Sequence, residues 1–313
     1  MYDTVNLRLR GYDVPGVSFL EETALYLDEI TGQFEHRNGL HVVIGKLGCL
    51  TISIDEAAVR VKQGSLCKWF LGDNVQEMGR GDTRRAIEQL SDTLHLPMER
   101  AAVTRIDVAH NLLMRYPPGV YCNHLGGLRY ATRLQEPEGI YYKQGAGRLA
   151  FYDKTRETQR GGGPIPEICT GNNILRYERR FDKRLTHYLQ EPEITAATLY
   201  NEAFYIKVVK MWLRAYRDID KINDITINPD VMKSKKDFDR AARLALVEKY
   251  GGEAATMEAI KEMQQRGDIT KKQAFDMRKT VKEACLSGVG LFVQSEVITE
   301  LDRKVTEAAA YYR

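Results

Sequence analysis

Through most of the first 190 residues apolar side chains alternate with polar ones at a period of two, and beyond about Thr186 they recur at helical spacing. A strand shows its side chains to opposite faces in turn, while a helix returns to one face every three or four residues. The pattern therefore predicts an α+β fold, an antiparallel sheet with helices on one face, followed by a helical C-terminal region. Val5, Leu7 and Leu9 alternate, as do Leu50, Ile52 and Ile54, and His41-Val42-Val43-Ile44 running into Gly45-Lys46-Leu47-Gly48 predicts a hairpin. Among these strands, Asp82 to His95 predicts a helix, capped by Asp82 or Thr83 and striped by Ala86, Ile87, Leu90 and Leu94. Later helices are expected over Leu199 to Arg217, Lys236 to Tyr250, Ala254 to Arg266, Thr270 to about Leu286, and Glu296 to Tyr311. Gly267-Asp268-Ile269-Thr270 joins two of them, more simply as packed neighbours than as a helix-turn-helix. The change of pattern puts a domain boundary near residue 190, with 1–190 as one unit and 191–313 as the other. No internal repeat is visible.

At 313 residues the chain is long enough to bury a sizeable core. No run of about 18 uncharged apolar residues occurs, which argues against a membrane span, and the alternating start lacks the apolar block of a signal peptide. A cytoplasmic protein is expected. The five cysteines, Cys49, Cys67, Cys122, Cys169 and Cys285, are odd in number and scattered, so reduced structural thiols are expected rather than disulfides or a zinc knuckle. A net charge of +3 says little about partners. Its distribution says more: residues 143–184 hold ten Lys and Arg against five Asp and Glu, a local +5 that leaves −2 for the rest.

Two segments lie within that surplus, Gly147-Arg148-Leu149-Ala150-Phe151-Tyr152-Asp153-Lys154-Thr155-Arg156-Glu157 and Ile174-Leu175-Arg176-Tyr177-Glu178-Arg179-Arg180, and a third precedes it, Thr104-Arg105-Ile106-Asp107-Val108-Ala109-His110. As strands, they bury Leu149 and Phe151 and turn Arg148, Ala150, Tyr152 and Lys154 to the other face. A phenol of pKa near ~10 needs cations or a metal to act as a nucleophile at neutral pH. Arg148 and Lys154 are placed to help Tyr152. Asp107 and Glu178 fall on the polar faces of their strands, and two carboxylates with water and a phosphate oxygen suit Mg²⁺ or Mn²⁺. Alternation aims His110 at the core with Ile106 and Val108, although it becomes a third ligand if the strand ends at Ala109. Taken singly, each segment is a strand with a surface ion pair.

Together, the Arg-Ile-Asp of residues 105–107, the Tyr-x-Lys-x-x-Glu of residues 152–157 and the Arg-Tyr-Glu-Arg of residues 176–179 resemble the gene II/X family of phage and plasmid rolling-circle replication initiators. Val61 to Asn74 is similar to a family segment that precedes the site. More distantly, Tyr152-Asp153-Lys154 resembles plasmid initiators of the Rep_trans type. The resemblance runs in order over most of residues 1–190. It implies a site-specific, metal-dependent nickase in which Tyr152 attacks one strand of origin DNA, single-stranded or in a hairpin, and keeps the 5′ phosphate. The freed 3′ hydroxyl would prime a host polymerase beside a host helicase, and the strand would be resealed without ATP. It also implies that Asp107 and Glu178 hold the metal, since the chain lacks the His-hydrophobe-His pair of the wider nuclease class; Glu157 is a further ligand candidate. Arg105, Arg148, Lys154, Arg156, Arg176 and Arg179 are the candidates for phosphate contacts. A transposase or relaxase with the same tyrosine chemistry, a tyrosine recombinase, and a non-catalytic DNA-binding repressor are the competing readings.

Overall fold

The computed structural model describes residues 1–35, 39–145, 147–162, 166–222, 232–287 and 295–312. The strands are β1 (Tyr2–Arg10), β2 (Glu29–Glu35), β3 (His41–Leu47), β4 (Leu50–Asp55), β5 (Ala58–Gln63), β6 (Ala102–Met114), β7 (Leu125–Leu128), β8 (Thr132–Glu136), β9 (Gly139–Gln144), β10 (Gly147–Asp153), β11 (Asn173–Phe181) and β12 (Ile219–Lys221). Ten of them form one antiparallel sheet in the order β2-β3-β4-β5-β1-β6-β11-β10-β9-β8, and β7 pairs with β12 apart from it. The predicted first hairpin turns at Gly48, which has φ +55°, and not at Gly45, whose added Cβ would lie 2.5 Å from the Glu29 carbonyl oxygen on β2.

That order contains a repeat invisible in the residues. In each half a first strand, β1 or β6, lies at the central seam; the chain then crosses to the outer edge and returns inward through four strands, the last pairing with the first. The topology is duplicated even though the side chains are not.

Period two determines which side of the sheet is greasy. Leu7, Leu9, Ile52, Ile54, Val59, Val61, Ile106, Val108, Phe151 and Tyr177 are buried against helices on one face. Arg80–Leu94 contributes Ala86, Ile87, Leu90 and Leu94, Glu202–Arg217 contributes Phe204, Val208, Val209 and Trp212, and Glu296–Tyr311 contributes Val297, Leu301 and Val305. Tyr177 stacks between Phe151 at 4.3 Å and Trp212 at 4.5 Å between ring centroids. Polar residues therefore occupy the opposite face, where the site lies.

The core does not stop at residue 190. It continues into the last helix, whose carboxylates also accept hydrogen bonds from the sheet half: Glu300 from Tyr121, and Asp302 from Tyr216 at 2.6 Å. The helices Lys235–Lys249, Glu253–Arg266 and Lys271–Ser287 instead share a small core of Val247, Ile260, Ala274 and Val281. Packing thus groups residues 1–222 with 295–312, while 235–287 hold a small core of their own. Gly267, at φ +83°, caps the junction of two of these helices, which pack on each other through that core. Their module meets the sheet half where Gly127 N donates to the Gly251 carbonyl oxygen at 2.6 Å. The sequence also predicts breaks at Gly161-Gly162-Gly163-Pro164-Ile165-Pro166 and Ser287-Gly288-Val289-Gly290 and a second hairpin through Gln144-Gly145-Ala146-Gly147; of these, residues 163–165, 288–290 and 146 lie outside the described residues.

Leu301 is 1% exposed, so Leu301→Ala is expected to cost roughly 2–5 kcal/mol. Urea denaturation followed by circular dichroism measures this. A loss under about 1 kcal/mol would show that the last helix is not part of the core.

Candidate active site

Four adjacent strands, β1, β6, β11 and β10, bring the site together. Tyr152 lies directly across from Arg176 in the β10–β11 pair, and Asp107 across from Arg180 in the β6–β11 pair. The half-buried Tyr152 lines a cleft of about 590 Å³ with Asp3, Asp107, Glu178 and Arg180. Its hydroxyl donates to Glu178 Oε2 at 3.4 Å.

Arg176 is the hub. Buried to 2% exposure, it reaches Asp3 Oδ2 at 3.0 Å and Glu178 Oε2 at 3.8 Å, and donates to the Asn74 carbonyl and to Asn111 Oδ1. Asp3 also accepts from Ser65 Oγ at 2.6 Å and Asn74 Nδ2 at 3.3 Å, so the Val61 to Asn74 segment enters the site through its polar side chains. Asp107, 1% exposed, sits between two forks: Arg105 binds both its oxygens, and Arg180 donates to them at 2.9–3.1 Å.

These contacts set the proton affinities. Burial drives the Tyr152 phenol well above its usual range, assisted by the Glu178, Glu157 and Asp3 carboxylates and opposed by Arg176. Burial also raises the Glu178 pKa, with Asp107 and Asp3 adding to it against Arg176 and Arg180. Burial works the same way on Asp3, but Arg176, Ser65 and Asn74 outweigh it and hold that carboxyl below its ordinary value. The phenol keeps its proton, with a basic carboxylate oxygen beside it.

Not every predicted residue joins this group. His110 points with Val108 to the helical layer, where its Nδ1 lies 2.7 Å from Glu77 and 3.0 Å from the Tyr312 hydroxyl; it is no neighbour of Glu178, because β6 continues to Met114 and never ends at Ala109. Arg179 is also on the helix side, donating to the Met211 carbonyl at 2.6 Å, because period two puts it with Tyr177. The cleft-facing neighbour of that cation run is Arg180. Lys154 leaves the strand to open the helix Lys154–Arg160, capped by Asp153, and gives its ammonium to Glu157 at 2.6 Å. Arg176 is the cation with the largest influence on the phenol. Arg156 pairs with Asp153 on that exposed turn. Arg148 and Arg105 do line the cleft.

Among the described residues no three His, Cys, Asp or Glu side chains are grouped as a metal cage. The Asp107 and Glu178 pair nevertheless supplies hard oxygens, and one cationic atom already bridges it: Arg180 Nη2 is 2.9 Å from Asp107 Oδ2 and 3.4 Å from Glu178 Oε1. A gap spanned by one cation fits an oxygen-seeking ion that needs few protein ligands.

All five cysteines are free, and no described helix is long and apolar enough to cross a membrane. No curated protein matches the chain. A family model described as the N-terminal part of a phage replication-associated protein, the gene II protein, matches residues 1–213, the span that holds the sheet, the cleft and the first helix behind Tyr177. The chain belongs to this replication-associated protein family, the gene II/X initiator group that its three motifs resemble.

Proposed function

We propose that the chain initiates rolling-circle replication by nicking one strand of origin DNA with Tyr152 and later rejoining it. The supporting observation is the Tyr152 hydroxyl 3.4 Å from a carboxylate of raised pKa, opposite a buried arginine, in an open cleft of a replication-associated fold.

Glu178 Oε2 takes the phenol proton, and its raised pKa moves it toward the range of a useful general base. Arg176 holds the phenolate in place as the oxygen attacks phosphorus. The bond from phosphorus to the 3′ oxygen breaks, the proton passes to that leaving oxygen, and the 5′ phosphate stays on Tyr152. Arg105 and Arg180 face the non-bridging oxygens, where charge accumulates. One phosphodiester replaces another, so the reverse attack by a 3′ hydroxyl reseals the strand without ATP. Asp107 and Glu178 would hold Mg²⁺ or Mn²⁺, and such an ion would supply further neutralisation of the phosphate. A host polymerase would extend the released 3′ end, with a host helicase opening the duplex.

Incubation with a labelled origin oligonucleotide and Mg²⁺ or Mn²⁺, followed by peptide mapping, tests this reading. The expected result is an adduct on Tyr152 that disappears with EDTA and returns with added metal. A 3′-phosphate linkage surviving EDTA would instead indicate recombinase chemistry and overturn it. An adduct on Tyr188 would keep the reaction class and move the nucleophile. Tyr142 is not a rival, because its buried hydroxyl is committed to the Gly126 carbonyl at 2.8 Å.

A further inference from the structure

The polar face of the sheet carries cations placed directly across from cations. Lys143 on β9 faces Arg148 on β10, Arg148 faces Arg180 on β11, and Arg8 on β1 faces Arg60 on β5. Like charges opposite one another in an antiparallel pair destabilise it, so three such pairs on one face cost the fold stability unless an anion lies over them. Arg105 closes the interval: it shares the Asp107 carboxylate with Arg180 and stands across from Asn6, two residues before Arg8 on the same face of β1. Lys143, Arg148, Arg180, Arg105, Arg8 and Arg60 thus form one slanting row across six neighbouring strands. Asp107, Glu178 and Asp55 are the acids paired into it among the described residues.

Two further observations point to an absent ligand. Arg148 Nε and Arg8 Nε are buried donors with no hydrogen-bond partner among the described residues, and both lie on this row. Moreover, seven carboxylates and five cations line the catalytic cleft among the described residues. Four of those five cations, Lys143, Arg148, Arg180 and Arg105, belong to the row, so its phosphate-binding charge is gathered on one line through the cleft, and Arg8 and Arg60 carry it past the cleft to β5.

We propose that this row is a track for the phosphate backbone of single-stranded DNA, carrying the strand from the β9 side of Tyr152 across the seam to β5. The proposal rests on the nicking function above and adds the path of the substrate and the residues Arg8, Arg60 and Lys143. Six strands at ~4.8 Å spacing give a path of about 24 Å, suited to roughly four nucleotides, the short end for single-strand grooves. Phosphate contacts of this kind hold the strand in register without reading its bases.

The test is the salt dependence of binding by the full chain, using single-stranded oligonucleotides extended by about ten nucleotides on the 5′ or the 3′ side of the nick site. Lys143→Gln sits at one end of the row and Arg8→Gln one strand short of the other, and neither residue is in an ion pair among the described residues. Each should reduce the slope of log K against log salt by about 0.7, and the double variant by about 1.4, with affinity down on the order of ten-fold at low salt. Arg8→Lys keeps the charge and should restore the slope. Unchanged slopes for both extended oligonucleotides would overturn the track, whatever Tyr152 does. Loss of the nuclease reading, seen as no adduct on Tyr152, leaves the slopes to decide this proposal separately.

Discussion

Tyr152→Phe is expected to abolish the covalent DNA adduct, by at least about 10³-fold in rate, while origin DNA still binds within about two-fold. The substitution removes one oxygen and keeps the ring. That oxygen makes a single long hydrogen bond to Glu178 at 3.4 Å, so little is lost from the folded state. Phosphate contacts along the sheet are untouched, which separates chemistry from affinity. A denaturing gel of the labelled strand reads the adduct, and a filter-binding titration reads the affinity. If adduct persists at the parent rate, Tyr152 is not the nucleophile; if neither variant nor parent ever forms one, a repressor becomes the better reading. Glu178→Gln supplies the companion measurement. It keeps the shape of the base and removes its basicity, with an expected loss of about 10²–10⁴-fold in the rate of adduct formation.

Arg176→Met is expected to destabilise the protein by roughly 3–5 kcal/mol, a fall in melting temperature on the order of 10 °C. Arg176 is the sole cation in direct ionic contact with Asp3 among the described residues, and it also faces Glu178; both carboxylates are buried. Removing it leaves Asp3 without a cation and Glu178 with Arg180 alone, and takes the donor from Asn111 Oδ1. Methionine preserves most of the volume, so the loss reports charge more than packing. Asp3→Asn in the same background should recover part of the stability because it removes one orphaned charge. A melting temperature within about 2 °C of the parent, a small part of that expected fall, would show that the arginine is dispensable to the fold and that its burial serves catalysis alone.

The sheet and helices were legible because alternation and helical spacing are local signals. Arg80–Leu94, Glu202–Arg217 and Glu296–Tyr311 fall close to where their apolar stripes predict them. Tyr152 and Glu178 were legible for the same reason, since period two puts both on the face away from Phe151 and Tyr177. Asp3 was not. Val5, Leu7 and Leu9 are buried, and strict alternation would send Asp3 inward with them; three residues from Tyr2 to Val5 on β1 span only two from Val108 to Ile106 on β6, and this bulge turns Asp3 into the cleft. A bulge depends on the partner strand, which lies a hundred residues away. Arg179 illustrates a different error, because a run of cations in sequence points to the wrong neighbour although alternation already favours Arg180. The duplicated strand order was illegible in principle, because it resides in how strands pair and the paired side chains share no pattern.

Within that duplication the two halves differ most in length at one connection. β4 passes to β5 through Glu56-Ala57, whereas β10 passes to β11 through residues 154–172, which carry Glu157 and Arg160 onto the rim of the cleft. Lengthening such a connection costs little free energy, and the seam and helical backing stand without it. On the proposed function, rewriting this one connection would reshape the rim that a DNA strand meets while leaving Tyr152 and Arg176 in place.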